Sequence, residues 1–275
     1  MIKLSCFSSA YDWCTLEESI RRISEAGFSG VALVAVRPHA YPPDLDETRK
    51  KNLVDLLKSL NLEVSSVIHH GAVYGLSMSS PIKTVRDDAV NHMKNVIKLA
   101  KELGSKIAMI LPSVTYHGES VDPNDAWKWT IEGLKSCAPL AEENDIVVAV
   151  EPCAHWDMPV IDTIEKCLKA FDEIGSKNFK LCIDTATLRA LNLDIRKTMT
   201  DLKDLVATIH LHVPPTTPPD AKQALERTGF NFAELMKVLT DIGYDGYLEL
   251  ETYRLSVTEM DKFIRDCKAI LEGML

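Results

Sequence analysis

Four apolar segments of the chain each end in a residue that can bind a metal ion. The segments are VVAV, KLCI, TIHLH and YLEL, and the residues at their ends are Glu151, Asp184, His212 and Glu251. Burying an isolated charge is costly, so acidic side chains at the ends of buried strands need a cation or hydrogen bonds. One divalent ion held by three carboxylates and one imidazole would compensate all of them together.

Each of these positions also has a structural alternative. A single Glu or Asp at a strand end is often a helix N-cap or a salt-bridge partner. Under strict alternation, His210 points to the same side as His212, and Glu249 to the same side as Glu251. The residue nearer the carboxyl end of the strand is favoured as ligand, which selects His212 and Glu251. His210 and Glu249 then orient the ligands or fill the interior.

Histidines and a tryptophan that follow the earlier apolar segments are candidates for substrate contact. They are His39 after the second segment, His70 at the end of the third, and His155 with Trp156 after the fifth. A lone loop histidine is usually solvated or a cap, but several gathered on one face favour substrate binding. His92 lies in the middle of a helical pattern and is predicted to be a surface residue.

A weak internal repeat indicates which elements hold these residues. An acidic residue, an apolar residue and a glycine precede four of the apolar runs, with the glycines at Gly27, Gly104, Gly175 and Gly243. Each glycine follows an amphipathic stretch, where a helix ends in a left-handed cap that glycine adopts at little cost. The glycines lie 77, 71 and 68 residues apart, which is about two strand–helix units each time.

Filling the gaps between the repeats gives eight strands, each followed by a helical pattern. We predict the strands near residues 2–8, 30–36, 63–69, 106–112, 146–151, 179–184, 206–213 and 247–252. Eight such units in 275 residues predict an α/β fold, a (β/α)8 TIM barrel in a single domain over 1–275. A doubly wound sheet is the alternative, but no GxGxxG follows the first strand and no P-loop occurs. In a barrel, catalytic groups lie at the carboxyl ends of the strands, where the four metal-binding residues fall.

Composition and charge argue against several classes of protein. The chain has 31 basic and 40 acidic side chains and a net charge of −9, unlike a general nucleic-acid binder. No apolar run approaches the length of a transmembrane helix, and the N-terminus lacks the pattern of a secretory signal, so we expect no membrane partner. Seven scattered cysteines without a CxxC pair indicate reduced thiols in a cytoplasmic protein.

The chain resembles the xylose-isomerase-like family of sugar isomerases and epimerases, from its first strand to its last helix. The likeness is carried by EAGFSGVAL and RPHAYPPDLD around the second strand and by SSVIHHG at the third. It continues in AVEP, CIDT, HLH and GYDGYLELE, which hold the four metal-binding positions. The RPHAY segment is most similar to the fructoselysine 3-epimerase branch, near the ketose 3-epimerases.

This resemblance implies a metal-dependent isomerase or epimerase that acts on a keto-sugar or sugar derivative. Glu151, Asp184, His212 and Glu251 would bind one divalent ion; Mn is favoured, and Mg, Co and Zn remain open. The ion would bind the carbonyl and the adjacent hydroxyl and stabilise a cis-enediolate. Glu151 and Glu251 would remove and return a proton on opposite faces, giving C3 epimerisation or ketose/aldose exchange. Because related enzymes are often dimers or tetramers, the resemblance also implies a homo-oligomer.

The sequence departs from the family pattern at three places. Ala32 stands where many members have an acid, and Thr187 replaces the histidine of an Asp-x-x-His motif. The PPTTPP segment at 214–219 occupies positions where members have an acid and an arginine. These losses remove polar contacts to an ordinary ketohexose, so we expect a larger or less usual substrate.

Three other functions are compatible with parts of the pattern. The same site could serve a lyase, dehydratase or decarboxylase on a keto-acid or inosose-like substrate, with His155 or His70 as the acid. An abasic-site endonuclease is disfavoured by the charge and by the absence of histidine from the fourth strand, IAMILPS. A binding protein on a barrel that has lost catalysis is the remaining alternative.

Overall fold

The computed structural model describes residues 2–71, 75–112, 121–154 and 160–275, and its strands form a closed parallel barrel in chain order. The strands are β1 (Lys3–Phe7), β2 (Gly30–Val34), β3 (Glu63–His69), β4 (Ile107–Ile110), β5 (Val147–Val150), β6 (Phe179–Asp184), β7 (Val206–His212) and β8 (Tyr247–Glu251). The ring closes where Leu4 of β1 pairs with Leu248 of β8. The predicted barrel is confirmed, and the doubly wound sheet is wrong.

Helices in the described residues follow the strands and surround the barrel. They are α1 (Leu16–Glu25), α2 (Glu47–Ser59), α3 (Lys83–Glu102), α4 (Pro123–Asn144), α5 (Ile164–Ile174), α6 (Thr185–Ala190), α7 (Ile195–Asp201), α8 (Ala221–Arg227), α9 (Phe232–Asp241) and α10 (Val257–Glu272). Short 3-10 turns occupy Ser8–Tyr11 and Pro42–Asp44. The α6 and α7 helices both lie between β6 and β7, and α8 and α9 both lie between β7 and β8.

The four repeat glycines have the backbone conformation that the sequence predicts. Gly27, Gly104, Gly175 and Gly243 have φ angles of 86°, 79°, 74° and 73°. A side chain is strained in this left-handed region, so glycine is the residue that ends these helices at the least cost. The repeat therefore marks the four turns that lead from a helix into the next strand.

Strand alternation divides the barrel residues between two apolar layers. Leu181 and Ile183 of β6 pack outward against the helices, whereas Cys182 points into a smaller cluster inside the barrel. The inside cluster also holds Phe7 and Ile68. Because Asp184 follows the same alternation one step further along β6, its side chain also points inward, at the carboxyl end of the barrel.

Two further observations concern the thiols and the helices. All seven cysteines lie in the described ranges and none is in a disulfide. In the part of the chain that the structure describes, no helix combines the length and apolar character that crossing a bilayer requires.

Candidate metal and active site

Four consecutive strands bring acidic and imidazole side chains to one small cavity at the carboxyl end of the barrel. Glu151 directly follows β5, Asp184 ends β6, His210 lies in β7 and Glu251 ends β8. The cavity has a volume of about 20 Å³, room for a single ion or water molecule. Its other described lining residues are Phe7, Ile68, His70, Met109, Leu111 and Cys153.

The distances in this cluster are those of a potential metal centre. Ligand atoms of Asp184, His210 and Glu251 lie within 4.8 Å of one another, and so do those of Glu151, Cys182 and His210. The Nδ1 atom of His210 is 3.4 Å from Oε2 of Glu151. The three carboxylates that the sequence singles out are therefore assembled around one histidine.

The histidine in both groups is His210, whereas the predicted ligand His212 is in neither; which of the two binds a metal stays a prediction. The Nε2 atom of His212 lies 3.2 Å from the hydroxyl of Tyr253, and the backbone N–H of His212 donates to Oγ1 of Thr185. His212 lines a neighbouring pocket and belongs to neither group of potential ligands. Proximity to the strand end, on which the prediction was based, places His212 beyond the cluster.

Glu249 and Ser66 hold the ring of His210 in place from below. The Nε2 atom of His210 is 3.0 Å from Oε2 of Glu249, and the hydroxyl of Ser66 donates to the same oxygen at 3.0 Å. The ring edge of His210 also packs against Phe7, with centroids 4.8 Å apart. With Nε2 facing Glu249, the Nδ1 atom is directed toward Glu151, as in the carboxylate–histidine pairs that orient metal ligands.

The electrostatics of the cluster favour a bound cation. Burial, together with the charges of Glu151 and Glu251, raises the pKa of Asp184 well above its ordinary value. Burial and the charge of Glu151 likewise raise the pKa of Glu251 to about 7. Burial opposes a charge on His210, but the neighbouring carboxylate of Glu151 raises its pKa above the ordinary value. A positive ion would relieve the repulsion among these carboxylates.

The residues present fit a divalent ion. The Oδ1 atom of Asp184 accepts the backbone N–H of Ala186 and caps α6, while its buried Oδ2 has no hydrogen-bond partner in the described ranges. Asp184 is thus a helix N-cap, as the structural alternative for a strand-end acid predicts, and its second carboxylate oxygen remains available to a metal ion. Burial raises the pKa of Cys182, so its thiol stays protonated and is a weak ligand. Three carboxylates and one imidazole form a donor set suited to Mn, Mg, Co or Zn.

The predicted substrate-binding residues have different positions in the structure. His70 lines the cavity, and its burial lowers its pKa. His39 does not line the cavity; it is buried behind β1, with Nδ1 3.1 Å from Oγ of Ser8 and Nε2 3.2 Å from the carbonyl of Tyr11. His155 and Trp156 lie outside the described residues.

Two structural contacts were not foreseen from the sequence. The prediction that His92 lies at the surface is wrong, because His92 is buried on α3. The centroid of its ring lies 4.8 Å from that of His69. The hydroxyl of Thr187, the residue three positions after Asp184, donates to the carbonyl of Pro152 at 2.8 Å. Thr187 therefore ties α6 to the segment after Glu151, a role that residue type alone does not indicate.

Comparisons with known proteins agree with this architecture. A family model described as xylose isomerase-like TIM barrel matches residues 20–271. Fructoselysine 3-epimerase from Shigella flexneri is 22% identical over 275 residues, covering 100% of this chain and 98% of that protein. D-Psicose 3-epimerase from Clostridium cellulolyticum H10, solved with D-tagatose, superposes with a TM-score of 0.84 at 15% identity over 99% of both chains. The IOLI protein, solved with a zinc atom, has a TM-score of 0.76 at 13% identity over 99% of this chain and 97% of its own. The chain belongs to the xylose isomerase-like TIM barrel family.

Proposed function

We propose that this chain is an isomerase that acts on a keto-sugar or sugar derivative and depends on a divalent metal ion. The observation that supports it best is the cluster of Glu151, Asp184, His210 and Glu251 at the carboxyl end of the barrel. The names of similar proteins add support, since they include fructoselysine 3-epimerase and D-psicose 3-epimerase. C3 epimerisation is the favoured reaction, with ketose/aldose exchange as its close relative.

The metal ligands in this proposal are Glu151, Asp184, His210 and Glu251. Oxygen-rich ligation favours Mn or Mg, while the single imidazole also suits Co and Zn. When bound, such an ion supplies positive charge that stabilises an enediolate-like transition state. Glu249 and Ser66 keep Nδ1 of His210 directed at the cluster, so that ring orientation is fixed before any ligand arrives.

Glu151 and Glu251 are the proposed proton-transfer residues. They follow β5 and end β8, three strands apart in a ring of eight, so their carboxylates approach the cavity from different sides. One carboxylate removes the proton from the carbon beside the carbonyl, and the other returns a proton to the opposite face. Inversion at that carbon requires two such groups on opposite faces of a planar intermediate.

The apolar wall of the cavity supports the same chemistry. Phe7, Ile68, Met109 and Leu111 are buried and form the apolar part of the lining of this cavity. They exclude water from the reacting carbon, which keeps the proton with the protein carboxylates and strengthens their electrostatic effect. His70 is the polar side chain on this wall, and we propose that it contacts a substrate hydroxyl.

Solvent-isotope exchange tests the proposed function directly. The purified protein, loaded with Mn, is incubated with a panel of ketoses in deuterated water, and mass and NMR spectra follow the carbon beside the carbonyl. We expect deuterium to enter one ketose and a C3 epimer or aldose to form without a change in the carbon skeleton. Glu151→Gln should slow exchange by at least about 10²-fold, the usual scale for losing an acid–base residue.

Two outcomes would count against the proposal. Absence of exchange with every ketose, in protein shown to hold metal, would contradict isomerase activity. Formation of a product that has lost water or carbon dioxide would instead establish the lyase alternative at the same site.

A further inference from the structure

A second and larger pocket lies directly beside the carboxylate cluster. Its volume is about 350 Å³, within the range of small-molecule sites. It is bounded by α6, by the segment that follows β7 and by α8 with the residues after it. The described lining residues are Thr185, Ala186, Arg189, His212, Pro214, Pro215, Thr216, Ala224, Arg227, Thr228 and Phe230.

This pocket adjoins the proposed catalytic site through two strand ends. Thr185 directly follows Asp184, and His212 lies two residues beyond His210 on β7. Two residues of strand correspond to about 7 Å. A substrate whose reacting carbons lie at the carboxylate cluster can therefore extend a substituent into this pocket.

The charged side chains among the described lining residues of the pocket are all basic. Arg189 and Arg227 both line it, and no acidic residue is among its described lining residues. Neither guanidinium forms an ion pair or hydrogen bond within the described ranges, whereas Arg196 nearby pairs with Asp241 at 2.9 Å. Two uncompensated guanidinium groups on a chain of net charge −9 form a local positive site.

The other polar groups of the pocket are already engaged within the protein. The hydroxyl of Thr228 donates to the carbonyl of Leu225 at 2.7 Å, and that of Thr216 donates to the carbonyl of Pro218 at 2.8 Å. The remaining wall is largely apolar. Ligand recognition therefore depends on the guanidinium groups, whose planar donor pairs match a carboxylate or a phosphate.

We propose that this pocket binds an anionic group of the substrate, a carboxylate or a phosphate, placed several atoms from the reacting carbon. The inference depends on the proposed function, because it identifies the substrate as an anionic keto-sugar derivative. The PPTTPP segment contributes Pro214, Pro215 and Thr216 to the wall of this pocket.

Matched ketoses test the inference. D-Fructose, D-fructuronate and D-fructose 6-phosphate differ at carbon 6, and their kcat/KM for deuterium exchange is measured on the Mn-loaded protein. We expect one anionic ketose to be preferred over fructose. The anionic-to-neutral ratio should fall about tenfold in Arg189→Gln and in Arg227→Gln, the equivalent of about 1.4 kcal/mol for a charge-assisted hydrogen bond. The preferred anion distinguishes a carboxylate from a phosphate.

Arg21→Gln is the matched control, because Arg21 is an exposed arginine of α1 that does not line the pocket. A ratio near one in the wild type, or an equal fall in Arg21→Gln, would overturn the inference. Calorimetric titration with inorganic phosphate examines the pocket without turnover. Binding that is lost in the Arg189→Gln/Arg227→Gln double variant supports an anion site even if no ketose reacts, whereas equal binding in both proteins refutes it.

Discussion

His210 is the residue on which the proposed metal centre depends. It is fully buried, with Nε2 against Glu249 and Nδ1 toward Glu151. The carboxylate of Glu249 is also fully buried and accepts from Ser66, so the three side chains form a chain of contacts across the barrel interior. This support fixes the imidazole ring of His210, whereas His212 is part-exposed, with its Nε2 atom 3.2 Å from the hydroxyl of Tyr253.

A pair of histidine substitutions tests this assignment. We expect His210→Asn to lose at least about tenfold in metal affinity, because it removes a ligand, while His212→Asn retains metal. Metal content after dialysis is measured by mass spectrometry, and circular dichroism verifies that both variants are folded. Retention of metal by folded His210→Asn together with its loss in His212→Asn would restore the sequence-based assignment.

The sequence singles out the three carboxylates that share the cavity, but it favours a different histidine from the one that lines it, and the ligand assignments stay predictions. Glu151, Asp184 and Glu251 are the polar residues that close apolar runs, and the structure brings all three to one cavity. The strand registers alone do not separate His210 from His212. Asp184 pairs with His210, and His212 pairs with Glu251, so each histidine lies beside one of the carboxylates. The side-chain positions of the folded barrel, which no local pattern encodes, bring His210 into the cavity and place His212 beside Tyr253.

At the scale of elements, the strands and their order could be read from the sequence, because each strand is a short apolar run introduced by a helix and often by a glycine. Packing between elements was less accessible. His92 and His39 are polar residues in amphipathic or loop segments, and nothing in residue type shows that neighbouring elements cover them. Burial of His92 depends on how α3 packs on β3, a long-range contact that no local pattern encodes.

The His69–His92 pair, which joins β3 to α3, makes stability depend on pH. Burial lowers the pKa of His69 to about 3 and that of His92 to about 4, and a charge on His92 further opposes a proton on His69; Tyr41 and His70 are the other titratable neighbours. The unfolded chain binds these protons near pH 6.5, whereas the folded chain does not bind them until the pH is much lower. The contribution of the neutral histidines to the free energy of unfolding is therefore fully present above pH 6.5 and is lost as the pH falls toward 4. His92 alone contributes a loss on the order of 2 kcal/mol by pH 5.

Urea unfolding at pH 7.5 and pH 5 measures this effect. We expect the midpoint to fall less with pH in His92→Gln than in the wild type, because glutamine does not gain a proton. Met93→Leu, a buried neighbour on α3, is the control and should keep the wild-type dependence on pH. An identical pH dependence in His92→Gln and wild type would show that His92 is not the titrating group.

At the scale of the whole molecule, the surface, the barrel interior and the neighbouring pocket differ in their charge. The net charge of −9 covers a surface on which about half of the Lys and Arg side chains of the described ranges form ion pairs with acids, often one helical turn away. The carboxylates inside the barrel attract a cation, and the pocket beside them presents two arginines. A ligand with a metal-chelating keto-alcohol at one end and an anionic group at the other would match both regions. The charges of the two regions would then orient such a substrate before proton transfer begins.

Side-chain contacts between the first and last strand–helix units add to the closure of the barrel. Beyond the pairing of β8 with β1, Asp261 of α10 accepts from the hydroxyl of Tyr11 at 2.7 Å and from Nη1 of Arg22 on α1 at 2.8 Å. The Arg22–Asp261 pair is only 26% and 30% exposed, so Asp261→Asn should lower the free energy of unfolding by about 1–2 kcal/mol, at the low end for a charge-assisted hydrogen bond. Asp266→Asn on the same helix removes an exposed pair with Lys262 and should cost no more than about 0.5 kcal/mol. Equal losses in the two variants, measured by urea unfolding at pH 7.5, would mean that the Asp261 contacts contribute no more to holding the first and last units together than a surface ion pair does.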